Sequence, residues 1–409
     1  MNDQKKPSVK PEMMIFFVIV AITGFGMAMS DSIMANFFKD AYSVTAVQRG
    51  FLEFPRELPG ILCFLVVAFT SAFGDVRLAI VSQLLSAFGL LVLGLFTPAF
   101  AVMVVFLFIN SLGNHLYMPL QDSIGMFIIG KDDLGKRMGQ YNGIRTAFSM
   151  VASVIIFFGF RIGFFSLKTP TKLPFLISAT ALVCITALYI LLYTKYRVFG
   201  EARKKHVEII IKKEYKFYYT FAVLYGVQKQ IMFVYAPWVL IDILSRKADT
   251  LAMMAIVSSF CGIFFLPTVG RWIDRYGTKK LLLVEGSMFV LVYTTYGLLS
   301  RGFTLGVIAR TGLPVLFVYG LFIIDRLTMQ LGMVRVAYFK SIALDPADIT
   351  PTLSTAMSMD HVVSIICAYL GGLAWNRYGP QYVFFIAASL SLINVLVALR
   401  IKPQIKAAD

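Results

Sequence analysis

Charge is scarce in this chain. Only 15% of its 409 residues are Asp, Glu, Lys or Arg, 58% are hydrophobic, and the mean hydropathy is +0.76. That balance excludes an ordinary soluble domain. Long polar stretches are missing as well: the longest, residues 194–216, is a basic linker too short to bury a core of its own. The four cysteines, Cys63, Cys184, Cys261 and Cys367, lie in apolar segments without metal-ligand spacing and read as small core residues. No G-x-x-x-x-G-K-[ST] occurs, which argues against direct ATP drive. Nor is there a G-x-S-x-G, a clustered metal site or a paired His/Cys constellation, so an enzyme reading has no chemistry to rest on and no cofactor is implied. The apolar run at residues 13–29 is too long for a signal-peptide core and has no small-residue cleavage site after it; it reads as a first spanning helix.

Long apolar runs, by contrast, are abundant. At about 20 residues per crossing, twelve spans are expected, at 13–36, 50–73, 78–96, 102–126, 138–160, 173–193, 217–240, 251–267, 281–300, 313–337, 353–373 and 382–399. Six precede the basic linker and six follow it. The expected fold is therefore an all-α integral membrane protein of two pseudo-symmetric six-helix bundles, residues 1–193 and 217–409, joined by a cytoplasmic linker at 194–216. A net charge of +16 raises the question of nucleic acid, but the basic residues cluster between spans, as the positive-inside rule requires. Lys5, Lys6, Lys10, the Lys131/Lys136/Arg137 loop, the linker, 271–280, Lys402 and Lys406 share one side, which makes both termini cytoplasmic. Lys168, Lys172, Arg246, Lys247, Arg301 and Arg310 stand against this on the other side. The expected partners are the bilayer, a small organic solute and protons, with no nucleic acid, and the chain is expected to act as a monomer.

The most specific motif is Gly270-Arg271-Trp272-Ile273-Asp274-Arg275-Tyr276-Gly277-Thr278-Lys279-Lys280, in the turn between the eighth and ninth spans. It resembles the G-x-x-x-D-R-x-G-x-[RK]-[RK] signature of the Major Facilitator Superfamily at every defining position. A degenerate copy, Gly74-Asp75-Val76-Arg77, occupies the turn between spans two and three, without a second glycine or a closing basic pair. The resemblance implies that Asp274 and Asp75, with Arg77, Gly270, Arg275 and Gly277, form conformational latches, Asp274 meeting the start of span five near Met138 and Asp75 the start of span eleven at Thr350-Pro351. The plainer reading is a tight turn with solvated charges. The resemblance also implies that spans 1, 4, 7 and 10 line a central cavity, 2, 5, 8 and 11 shape its sides, and 3, 6, 9 and 12 lie outermost.

Charged groups inside the spans follow that division. Asp31, Glu53, Arg56, Glu57, His115, Asp122, Arg145, Lys229, Asp325, Arg326, Asp360 and His361 avoid spans three, six, eight and twelve, and an ionisable group facing lipid is costly. Glu285 in span nine is the exception, expected to snorkel to the nearby cytoplasmic end. In span two, Arg49, Glu53 and Glu57 follow one another at single turns, with Pro55 and Pro59 kinking the helix. Either the two carboxylates share a proton or the segment is an ion-pair ladder. Lys229, flanked by Gln228 and Gln230, lies about 18 Å into its span by helical rise. Asp325 comes to similar depth, so an Asp325/Lys229 pair with Arg326 and Gln330 nearby is the preferred centre, with a permanent structural bridge as the alternative. Asn110, Asn114, Tyr117 and Gln121 form a polar stripe on span four that suits either substrate or interhelical hydrogen bonds. His115 and His361 titrate near physiological pH in principle, although packing roles are commoner.

The expected function is secondary active, proton-coupled transport of a small organic solute by alternating access at the plasma or inner membrane. The alternatives are a proton-driven drug-efflux antiporter, a uniporter or a non-transporting membrane protein. Span five reads Tyr141-Asn142-Gly143-Ile144-Arg145-Thr146 with no Gly-Pro, so the antiporter signature is absent. Arg145, Lys229 and Arg326 lean toward an anionic solute, but five acidic groups offset them.

Overall fold

In hydrocarbon every backbone N–H and C=O must be satisfied within the chain, and a sequence this apolar meets that demand with helices. In the computed structural model, which describes residues 11–70, 74–129, 134–198, 211–345 and 348–401, all regular structure among the described residues is helical. Side chains at 63–70, 129, 134–139 and 349–351 are not described. Lys5, Lys6, Lys10, Lys131, Lys402, Lys406 and linker positions 199–210 lie outside the described residues, as do the side chains of Lys136, Arg137, Met138, Thr350, Pro351 and Cys63.

The first half contains α1 (Pro11–Tyr42), α2 (Ala46–Phe51), α3 (Glu53–Thr70), α4 (Asp75–Leu95), α5 (Phe100–Ile129), α6 (Leu134–Arg161) and α7 (Leu173–Thr194). After the linker come α8 (Lys216–Gln230), α9 (Ala236–Trp238), α10 (Ala248–Thr304), α11 (Leu313–Gln330), α12 (Gly332–Ile342), α13 (Ile349–Tyr378) and α14 (Pro380–Arg400). Among the described residues, nine helical stretches are long and apolar enough to cross a membrane. One of them, α10, runs for 57 residues, but Gly277 within it has φ 75° and ψ 162°. Glycine reaches that conformation without a Cβ clash, so α10 is two rods meeting at the signature turn. The second expected span is divided at Leu52 into α2 and α3.

The seventh expected span is interrupted differently. Beyond α8 the chain forms a π-helical turn (Ile231–Tyr235), the short α9 and a second π-helical turn (Val239–Ile243). Pro237 has no N–H to give the carbonyl four residues back, and its ring crowds that carbonyl. The carbonyl is that of Phe233, and Arg49 donates to it through Nη2 at 3.4 Å. A helix defect and a buried guanidinium thus satisfy each other.

By contact the chain divides into two compact units, Met1–Ile33 with Leu62–His206, and Met34–Ile61 with Val207–Asp409. Residues 34–61 therefore group with the second unit, although they precede the linker in sequence. In that unit α2 lies on α13. A Cβ on Gly50 would strike the Ala368 carbonyl, and one on Gly372 would lie 2.6 Å from the Ala46 carbonyl. Small residues one turn apart on each helix permit this approach. The unit's aromatic core includes Tyr215, Tyr218, Phe221 and Phe339, with Tyr218 and Phe339 stacked at 4.5 Å.

In the first unit, Lys172 just before α7 is wholly buried. Its ammonium donates to the carbonyls of Phe96 and Pro170, both at 2.9 Å, and to the Thr97 hydroxyl. Burial pushes this lysine below the ordinary lysine range. One of the basic residues that spoke against the positive-inside pattern is thus an internal loop fastener rather than a surface charge.

Candidate functional site

The second span, α2 and α3, supplies the first charged layer. Arg49, 2% exposed, donates through Nη1 to Glu53 Oε1 at 2.6 Å and lies over the Phe38 ring. Arg56 donates to the same oxygen at 2.6 Å. The i,i+4 and i,i+3 spacings bring both guanidinium groups to one carboxylate. Glu53, 1% exposed, is therefore held by two cations, and the proton-sharing alternative with Glu57 is not what the structure contains.

Glu57 turns to other partners. Its Oε2 accepts from Lys229 Nζ at 2.9 Å and from His361 Nδ1 at 2.5 Å. Lys229 also reaches Asp360 Oδ2 at 3.2 Å, and Asp360 Oδ1 accepts from Ser364 at 3.2 Å. Glu57, Lys229, Asp360 and His361 have side chains only 11–14% exposed and come from α3, α8 and α13. Gly226 allows the approach of the last two helices, since a Cβ there would lie 2.8 Å from the Asp360 carbonyl. The expected Lys229/Asp325 pair is thus corrected to a Lys229 bridge between Glu57 and Asp360. Depth along a helix follows from counting residues, whereas rotation about its axis is set by such close contacts. With a neutral imidazole the four groups carry one net negative charge; one added proton brings them to zero.

Asp325 lies elsewhere in the same unit. It is fully buried, accepts from the Tyr293 hydroxyl at 3.2 Å through Oδ1, and has no partner at Oδ2. The same hydroxyl is 3.4 Å from the Gln228 carbonyl. The Gln228 side chain, 1% exposed, reaches Ser391 at 3.5 Å. Arg326 projects to an adjacent helix face, its guanidinium 4.9 Å from the Phe322 ring centroid.

In the first unit the span-four stripe is absorbed by hydrogen bonds between helices. Asn110 donates to Ser86 Oγ at 2.8 Å, and Ser86 Oγ donates to Asn114 Oδ1 at 2.8 Å. Tyr117 is 3.1 Å from both the Thr23 and Tyr189 hydroxyls, and Gln121 donates to Tyr117 at 2.8 Å. Tyr141 donates to Asp122 at 2.7 Å. The stripe therefore carries hydrogen bonds between helices. His115 Nδ1 lies 2.9 Å from the Ser111 carbonyl of its own helix. Asp31 sits on an exposed face of α1, and Arg145 is half-buried on α6.

The two signature turns share a backbone conformation in a register the sequence comparison did not give. Gly74 has φ 74° and ψ 152°, nearly those of Gly277. Gly74 thus corresponds to the second glycine of the motif, not the first, and Arg77 falls at the place of Lys280. Asp75 follows its glycine by one residue, whereas Asp274 precedes Gly277 by three; the position matching Asp274 is Ser71, outside the described residues. Asp75 is buried and accepts from Ser123 at 2.5 Å, while Arg77 donates to the Tyr193 hydroxyl. Asp274 and Arg275 are exposed, with Arg275 over the Tyr276 ring, and Gly270 has open space around it.

Several contributing residues escaped the sequence reading. Glu285 does not snorkel: it is 2% exposed and pairs with Arg335 at 3.1 Å, whose guanidinium stacks 4.0 Å from the Tyr225 ring centroid. Arg335 falls within the tenth expected span, so the same search for buried charge had the signal to find it. Lys279 of the motif donates to the carbonyls of Leu399 and Ile401 at 2.9 and 2.6 Å, capping α14. Outside the spans, Asp348 accepts from Lys212 and from the Tyr215 hydroxyl, both at 2.5 Å. Hydrogen bonds from Lys212 and then Tyr215 hold the Asp348 carboxyl below its ordinary range, and the Lys212 ammonium is correspondingly raised.

The fold has well-characterised counterparts. A crystal structure of the nucleoside transporter NupG superposes with a TM-score of 0.73 at 12% identity, covering 96% of this chain and 100% of that one. An auto-inhibited POT family peptide transporter gives 0.75 at 11% identity, covering 98% and 99%. A D-xylose–proton symporter gives 0.69 at 13% identity, covering 96% and 97%. No curated protein sequence matches this chain. The sequence profile of the Major Facilitator Superfamily matches residues 16–338. With that profile spanning most of the chain, an all-helical architecture and the signature turn at Gly277, this multi-pass membrane protein belongs to the Major Facilitator Superfamily.

Proposed function

We propose that the protein is a proton-coupled secondary transporter of a small organic solute, working by alternating access. The observation that carries this reading is the Glu57–Lys229–Asp360–His361 cluster. Buried charge is tolerated in a membrane helix where it is paired or serves a path for ions or solute. Here one proton changes the cluster between net negative and neutral, and three helices contribute its members, so its protonation bears directly on how those helices pack. The related solved structures carry nucleosides, peptides and D-xylose; the shared fold does not select among such solutes.

The two bundles at 1–193 and 217–409 are the repeats that move, with Asp274, Arg275, Gly270 and Gly277 forming a latch at the cytoplasmic turn. In this reading both termini lie in the cytoplasm, as the basic segments between spans favour, and the protein acts as a monomer in the plasma or inner membrane. The protein has no role as an enzyme in this reading. Drug export by antiport is the weaker alternative, because span five has no Gly-Pro.

Purified protein in liposomes tests this with nucleosides, dipeptides, pentoses and small carboxylates as solutes. An imposed pH gradient drives accumulation that collapses on adding a protonophore, and His361→Gln loses gradient-driven accumulation while retaining solute exchange. Flux indifferent to pH and protonophore overturns the coupling, and chemical turnover without flux overturns transport itself.

A further inference from the structure

In the unit comprising residues 34–61 and 207–409, five cations within the helices are matched by carboxylates. Lys39 pairs with Asp242 at 2.5 Å, Arg49 and Arg56 with Glu53, Lys229 with Glu57 and Asp360, and Arg335 with Glu285. Arg326 differs from them: among the described residues, no carboxylate lies within 4.0 Å of its guanidinium. Its Nε is buried without a partner. Stacking on Phe322 supports the flat face of the group and leaves its in-plane N–H donors uncommitted. A desolvated guanidinium with this geometry is a receptor for a planar or tetrahedral oxyanion.

Its neighbour Asp325 supplies the complement. That carboxylate is likewise without a cation within 4.0 Å among the described residues. Facing it are Tyr293 and Tyr296 from the second rod of α10, the Gln228 carbonyl of α8 through the shared Tyr293 hydroxyl, and Arg326 on its own helix. The ionised Asp325 offsets the field of Arg326, and the protonated form releases it. We propose that Arg326 binds the oxyanion group of the transported solute, a carboxylate or a phosphate, and that the anion binds together with a proton held on Asp325. The proton comes from solvent and returns to it when the anion leaves, so a monoanion and its proton cross as a neutral pair. The inference rests on the transporter reading and names its substrate class.

The test uses the purified full chain in nanodiscs without any gradient, so that it stands apart from the flux assay. Saturable thermal stabilisation is measured at constant ionic strength with benzoate, succinate and phenyl phosphate, and with uncharged benzamide and benzyl alcohol. The expected result is stabilisation by an oxyanion and not by the neutral analogues, with the carboxylate and phosphate arms deciding which oxyanion is preferred. Affinity is roughly tenfold tighter at about pH 5.5 than at about pH 7.5, following the proton on Asp325. Arg326→Gln loses roughly tenfold or more in affinity, and Arg326→Lys falls between, because it keeps the charge and loses the fork. Asp325→Asn binds tighter than the wild type near neutral pH and loses the pH dependence, a result that a merely structural arginine does not predict. If Arg326→Gln fails to fold, Arg326→Lys and Asp325→Asn carry the test. Wild-type anion affinity in Arg326→Gln, equal binding of the neutral analogues, loosened binding in Asp325→Asn, or no saturable stabilisation by any oxyanion overturns the inference. Oxyanion binding without pH-driven flux leaves this assignment standing and rejects the coupling; the converse rejects only this assignment.

Discussion

Replacing Lys229 by methionine keeps most of the stem and removes one charge. The side chains of Lys229 and Asp360 are each 12% exposed and that of Glu57 14%, with ion-pair distances of 2.9 and 3.2 Å. At an effective dielectric constant of about 20, each attraction is on the order of 5 kcal/mol before the cost of desolvation. Much of that is cancelled, and breaking a buried pair by removing one partner costs about 3–5 kcal/mol. At about 2–4 °C per kcal/mol for a unit of this size, Lys229→Met should lower the thermal midpoint by roughly 6–20 °C. Lys229→Met/Asp360→Asn should recover most of the loss, because Glu57 keeps His361 at 2.5 Å and no second carboxylate is left bare. Intrinsic-fluorescence melting in detergent or nanodiscs reads both. A single variant within about 2 °C of wild type, or a double variant less stable than the single, refutes the argument that Lys229 is held in place by these two carboxylates.

Glu285→Gln should destabilise by about 3–5 kcal/mol by leaving the Arg335 guanidinium buried without its counter-charge, and Glu285→Gln/Arg335→Met should recover most of it in the same melting assay. Outside the spans, Asp348 is depressed in the folded state, so its contribution is complete above the unfolded carboxylate value near 4 and is lost as pH falls through the lower folded value. Lys212 is raised, so its contribution is complete below the unfolded lysine value near 10.4 and is lost as pH rises through the higher folded one. Hydrogen exchange at residues 211–216 should therefore be slow and level between about pH 4 and 10 after correction for intrinsic rates. Asp348→Asn should speed it throughout that window.

Hydropathy made the helices legible, and the charge count separated spans with polar interiors from those without. The signature turn was legible too, because its glycine at positive φ has a chemical reason to be there. What the sequence withheld was rotation and pairing. Lys229 and Asp325 lie at matching depths, yet Gly226 brings α13 against α8 and gives the lysine to Asp360 instead. Glu53 and Glu57 are one turn apart in sequence, but each finds different cations, one set local and one distant. The Gly74 register was missed because a letter match favours the aspartate, whereas the backbone matches the glycine that turns.

The span of the Glu57 contacts along the chain has a consequence for how the protein is made. Glu53 has its cations four residues before it and three residues after it, so its own charge is compensated while the second span is still being delivered to the membrane. Glu57 waits for Lys229, 172 residues later, and for His361, 304 residues later. At about 5–20 residues per second, the first of those intervals is roughly 10–30 s. For that time α3 carries a carboxyl group whose inexpensive form in hydrocarbon is the protonated one. The final charged cluster is therefore a late product of synthesis, and a chain truncated before α13 holds Glu57 and Lys229 but neither Asp360 nor His361.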